Sequence, residues 1–234
     1  MSLAPIALAI DTDNLGTAKS WASITSEQIS TMKLGLEFFT RFGASGVKEI
    51  MGASREAQLF LDLKLHDIPN TVAGAVHSVA SLNPTYLTVH ASGGGAMISA
   101  AAEALPRTRI TAVTILTSLS SNDLKMMGFP PDIPHLVQSL ALSAVAAGAR
   151  AIVCSPHEVA LLRDSLPSEI HLLTPGVRPT GSAHGDQERI ATPAEALSQG
   201  ADLVVIGRPI TSLWDASNPD RMRVGLAEIV HGLK

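Results

Sequence analysis

Leu59-Phe60-Leu61-Asp62-Leu63-Lys64-Leu65-His66-Asp67-Ile68-Pro69-Asn70-Thr71 decides how this chain is read. Its first half is an apolar strand, and a helix starts at once with Ile68-Pro69. On a strand, residues two apart point to the same side. Asp62 and Lys64 therefore share one face, and Leu61, Leu63 and Leu65 share the other. Burying opposite charges side by side costs desolvation that their attraction only partly returns. Their position at the end of an apolar strand points to use rather than packing. The plainer reading is an ion pair closing a strand. The third charge, Asp67, and the immediate helix weigh against it.

The same handover from strand to helix recurs along the chain. Apolar, β-rich runs occupy residues 6–10, 29–34, 59–64, 86–90, 110–116, 151–154, 171–173 and 203–206. Between them, residues 37–51, 71–82, 95–105, 134–147, 157–166 and 193–199 read as helices, 17–24 and 26–28 more weakly, and 220–233 closes the chain. Eight strands alternating with about eight helices imply a parallel sheet. An open doubly wound sheet usually announces a glycine-rich turn after its first strand. Here that strand runs into Ala9-Ile10-Asp11-Thr12-Asp13-Asn14, without such a turn. A (β/α)8 TIM barrel of the α/β class, typically about 250 residues long, is therefore expected as a single domain over residues 1–234.

Composition agrees with one large globular domain: 46% of residues are hydrophobic, 16% are charged, and the formal net charge is −4. With a pI near 6.0, neither nucleic acid nor an anionic membrane is an expected partner. No apolar run approaches the length of a membrane span. Cys154, the single cysteine, sits in the apolar run Ala151-Ile152-Val153-Cys154 and reads as a small core residue. It cannot form an internal disulfide, so a reducing compartment, the cytoplasm, is expected. Met1-Ser2-Leu3-Ala4-Pro5 has no basic region before its apolar stretch, which Asp11 interrupts, and does not read as a signal peptide.

In such barrels the active site lies at the C-terminal ends of the strands. Those ends carry Asp11, Lys33, the Asp62–Lys64–Asp67 group, His90, Thr117 to Ser120, Arg178, Gly207 and Arg208. Asp13 and Ser92 read as helix N-caps or solvated loop residues. The loops after strands seven and eight often hold a phosphate. Gly207 allows close backbone approach and the helix after it offers free N–H groups. Arg208 can add a bidentate contact. Arg178 stands one strand earlier, in a loop over residues 175–192 long enough to serve as a lid.

Asp62-x-Lys64-x-x-Asp67 followed by Ile68-Pro69-Asn70-Thr71 resembles the signature of the orotidine 5′-phosphate decarboxylase family, which completes UMP synthesis. The central motif is shared with sugar-phosphate decarboxylases and synthases of the same superfamily. The flanking set is more specific: Ala9-Ile10-Asp11, Lys33-Leu34-Gly35, Thr88-Val89-His90-Ala91, Val113 through Ser118, Thr174 through Arg178, Gly185-Asp186-Gln187 and Val205 through Ile210, in that order. The resemblance implies orotidine 5′-monophosphate as substrate, UMP as product, and no metal or cofactor. It implies Lys64 as proton donor to C6, Asp62 beside the departing carboxylate, and Lys33 as the second lysine of the array. By the same resemblance Asp11 binds ribose, Thr117 or, second, Ser120 binds the pyrimidine, and Gln187 links base and phosphate. Arg178, Gly207 and Arg208 then hold the phosphate, and Asp67 and Thr71 reach the neighbouring active site of a homodimer.

Two other readings stand beside this one. A metal-dependent relative acting on a sugar phosphate needs carboxylate or histidine ligands at the mouth. The histidines show no close metal-ligand spacing, and strand two ends in Lys33 rather than an acid. A non-catalytic nucleotide-phosphate binder would not need an Asp–Lys–Asp array.

Overall fold

The structure is a computed structural model that describes residues 3–178 and 191–233. Eight parallel strands close a barrel in chain order. They are β1 (Ala4–Ala9), β2 (Ile29–Gly35), β3 (Gln58–Leu65), β4 (Tyr86–His90), β5 (Arg109–Val113), β6 (Ala151–Val153), β7 (His171–Thr174) and β8 (Leu203–Ile206). The helices around them are α1 (Leu15–Thr25), α2 (Leu36–Ala53), α3 (Pro69–Val79), α4 (Gly95–Ala104), α5 (Ser121–Met126), α6 (Ile133–Ala146), α7 (Val159–Ser165), α8 (Pro193–Ser198), α9 (Arg208–Thr211) and α10 (Asp220–His231). The barrel closes where β8 pairs with β1, Val204 opposite Ile6 and Ile206 opposite Leu8.

Strand alternation sorts the side chains into two cores. Ile6, Leu8, Met32, Leu34, Leu59, Leu61, Leu63, Leu87, Val89, Ile152, Val204 and Ile206 belong to the larger cluster, with buried helix residues such as Phe38, Val76 and Leu226. Ala7, Phe60, Tyr86, Ala151, Leu173 and Leu203 form a smaller cluster of the opposite parity, which fills the barrel interior. Interior positions nearer the C-terminal mouth are polar and buried: Lys33, Asp62 and Thr88. A polar layer above an apolar plug is what opens a site at one end only.

Several details refine the sequence reading or depart from it, and residues 26–28, weakly helical by sequence, form a turn after α1. β5 stops at Val113 rather than running to Leu116, because β6 has only three residues and offers no ladder beyond Val153. Thr114 instead turns its hydroxyl onto the Val153 carbonyl, 3.1 Å away. The N-cap of α1 is Asn14, whose side chain accepts the Thr17 N–H at 2.9 Å, and Asp13 is an exposed residue of the loop before it. Ser92 is an exposed residue of the 3-10 turn over Ala91–Gly93 between β4 and α4, whose N-cap is Gly94. α5 was not expected, although Ser120 and Asp123 carry its capping box, a signal legible in the sequence.

Candidate active site

Three charged side chains meet at the mouth. Asp62 Oδ2 lies 3.2 Å from Lys33 Nζ, and Asp62 Oδ1 lies 2.8 Å from Lys64 Nζ. Asp11 Oδ1 extends the line at 3.9 Å from Lys33 Nζ. Lys33 arrives from β2 and Asp62 and Lys64 from β3, so the pairing of these neighbouring strands assembles the array. Asp62 is also the acceptor for the Thr88 hydroxyl at 3.0 Å. Gly35 belongs to the same construction: a Cβ there would lie 3.3 Å from Lys33 Nζ, a tight approach, and in ordinary contact with Asp11 Oδ1 at 3.6 Å.

Lys64 does not follow plain strand geometry. β3 pairs with β4 as Leu61 opposite Leu87 and next as Leu65 opposite Val89, so extra residues are accommodated between those points. Within this irregularity Lys64 has φ of 49°. That left-handed conformation is uncommon for a residue with a Cβ and clusters at functional sites. Its backbone N–H donates to Thr88 Oγ1 at 2.8 Å.

Burial by itself pushes the Asp62 carboxyl up. Lys33, Lys64 and hydrogen bonds from Lys64 and Thr88 together outweigh it and hold the carboxyl below its ordinary value. Asp62 is therefore ionised near neutrality. Burial, with help from His66 and Lys64, lowers the His90 imidazole, which stays neutral. Burial raises the Cys154 thiol, so Cys154 is no thiolate nucleophile although it borders the cavity.

The array opens into a cavity of about 210 Å³ lined by Lys33, Asp62, Lys64, Thr117, Pro175 and apolar side chains including Phe60, Val153 and Val205. Of the residues expected from sequence, Lys33, Asp62, Lys64 and Thr117 thus share one cavity. Ser120 points elsewhere, its hydroxyl 2.6 Å from Asp123 at the start of α5. Asp67 is exposed and lines a neighbouring surface concavity with His66, Ile68, Pro69, Ser92 and Gly93. Thr71 is exposed on the first turns of α3. Gly207 follows β8 and is the N-cap of α9, and a Cβ there would meet the Ala9 Cβ at 3.4 Å. Arg208 begins α9. Arg178 donates to the Val177 carbonyl at 2.9 Å, and its backbone N–H bonds to Ala191, so the two ends of the long loop are pinned together. Gln187 lies outside the described residues. Sequence reasoning assigned no role to Thr88, Phe60, Val153 or Val205, since inward-facing β residues look alike until their partners across the barrel are known. Among the described residues, no three His, Cys, Asp or Glu side chains are grouped to hold a metal ion.

Fold and array together define a (β/α)8 barrel that carries an ion-paired Lys33–Asp62–Lys64 array at its C-terminal mouth, the end at which barrel enzymes carry their active sites. The chain belongs to the orotidine 5′-phosphate decarboxylase / HUMPS family, whose profile matches residues 4–219. It is 55% identical to the orotidine 5′-phosphate decarboxylase of Thermobifida fusca over 91% of each chain. It is 44% identical to the enzyme of the same name from Rhodospirillum rubrum, over 96% of this chain and 94% of that one. The crystal structure of orotidine 5′-phosphate decarboxylase from Lactobacillus acidophilus superposes with a TM-score of 0.81 at 33% identity, covering 99% of both chains.

Proposed function

We propose that this protein converts orotidine 5′-monophosphate to UMP and CO2 in pyrimidine biosynthesis, without metal or cofactor. The observation that carries the reading is the Asp62 carboxylate held between the Lys33 and Lys64 ammonium groups at the edge of the mouth cavity. Breaking the C6–carboxylate bond leaves an electron pair in the plane of the pyrimidine, where no π system delocalises it. The barrier must then fall through electrostatics and positioning. The Lys64 ammonium faces that pair and then gives C6 its proton, forming the new C–H bond. The amine left behind regains a proton from solvent. Asp62 lies beside the departing carboxylate, raises the energy of the bound acid and holds Lys64 in place. Lys33 balances the charge of Asp62.

Asp11 binds the ribose, and Thr117 the pyrimidine. Ser120 is the second choice for the pyrimidine, since its hydroxyl is engaged with Asp123. Arg178, Gly207 and Arg208 hold the phosphate, and Gln187 links it to the base. Phosphate binding far from C6 stabilises the closed state, so remote binding energy serves the chemical step. The working form is a homodimer in which Asp67 and Thr71 reach into the partner's site. The apolar exposure beside Asp67 supports this: Ile68 is 66% and Met127 59% exposed, flanking concavities that share His66 and Ser92.

Incubating the purified protein with orotidine 5′-monophosphate, with and without a chelator, tests the reading. Loss of substrate absorbance unaffected by chelator is expected. Chelator-sensitive turnover points to a metal-dependent relative. Tight UMP binding without turnover points to a binding protein. Either result overturns the proposal.

A further inference from the structure

Thr88 is fully buried on the inner face of β4, outside the lining of the mouth cavity, yet its one hydroxyl touches both charged residues of β3. It accepts the Lys64 backbone N–H at 2.8 Å and donates to Asp62 Oδ1 at 3.0 Å. The same Oδ1 accepts from Lys64 Nζ at 2.8 Å. These three bonds close a ring that grips Lys64 at its amide and at its ammonium. The ring sits where the β3–β4 register is irregular and where Lys64 has its left-handed φ of 49°.

We infer that Thr88 is a positioning residue: its hydroxyl holds the irregular Lys64 backbone and, through Asp62, aims the Lys64 ammonium at the reacting carbon. The inference rests on Lys64 being the proton donor proposed above. A hydroxyl carries one proton and two acceptor sites. With the Lys64 N–H donating to the oxygen, the hydroxyl proton points at Asp62 Oδ1, which accepts it. Backbone conformation, carboxylate position and ammonium direction are thereby coupled through one buried side chain that does not line the cavity.

Thr88→Val removes both bonds, whereas Thr88→Ser keeps the hydroxyl and loses only a methyl. The Val variant should bind UMP like wild type but lose kcat by about 10²-fold, the scale of an ångström-sized misplacement of a reacting group. The Ser variant should restore kcat to near wild type. Amide hydrogen exchange of the unliganded protein gives a readout independent of turnover. The Lys64 N–H should exchange about tenfold or more faster in Thr88→Val than in wild type or Thr88→Ser, reflecting a local opening. A Val variant with wild-type kcat and an unchanged Lys64 exchange rate overturns the inference. A Ser variant as impaired as Val also overturns it, because packing would then be the cause. Wild-type protein inert toward orotidine 5′-monophosphate would sink the functional reading alone, and the exchange data would still decide whether Thr88 holds Lys64.

Discussion

At Asp62 two opposing effects meet: burial disfavours the charged form, and two ammonium groups plus a hydroxyl favour it and win. The carboxyl is thus held below its unfolded value of about 3.9. Its contribution to stability is present above that value and is lost as pH falls through the folded pKa. The melting-temperature gap between wild type and Asp62→Asn should therefore shrink as pH is lowered from about 5 to 3. A gap that stays constant over that window contradicts the ionised, lysine-bound carboxylate. Lys64→Ala should bind UMP yet lose turnover by about 10⁴-fold or more, since one deletion removes both the proton donor and the facing charge. Near-normal kcat in that variant would rule out the role given to Lys64. The acid–base pair was legible because two opposite charges close together at the end of an apolar strand stand out, although strand parity alone does not describe the left-handed backbone that Lys64 adopts. Thr88 was not, because a threonine on a strand is ordinary until its neighbours across the ladder are known.

Among the elements, α2 shows most clearly where local pattern stops being enough. Residues 37–51 read as one helix, but Gly43 interrupts it with φ 58° and ψ −160°, a conformation that suits glycine alone. A Cβ at Gly43 would meet nothing within 4 Å, so any cost of adding one is backbone strain rather than collision. Gly43→Ala should destabilise the protein by about 1–3 kcal/mol, lowering the melting temperature by roughly 2–4 °C for each kcal/mol in a domain of this size. An unchanged melting temperature would mean that the kink relaxes without penalty. β5 makes a similar point. Its apolar run continues to Leu116, but the ladder ends with the short β6, so pairing rather than composition sets the strand end.

For the whole molecule, the proposed dimer divides each active site between two chains: Lys64 acts in its own barrel and Asp67 across the interface. Homodimers of Lys64→Ala and of Asp67→Asn should both be strongly impaired. When the two are mixed and allowed to exchange, each heterodimer carries one site with both defects and one with none. Statistical pairing then restores about a quarter of wild-type activity, as two-fold symmetry requires. No recovery despite exchange demonstrated by tag pull-down would place Asp67 in its own subunit's site. The sequence by itself determined the alternation of strands and helices, the inward and outward parity of β3 as far as Leu63 and the gathering of polar residues at strand ends, because periodicity is local and each segment carries its own. Only the tertiary structure decided that Lys33 meets Asp62 from 29 residues away, that Lys64 takes a left-handed backbone, and that the Thr88 hydroxyl bridges the two charged residues of β3. Those facts depend on the register between neighbouring strands and on the stagger imposed when the sheet closes into a barrel, and no single strand encodes either.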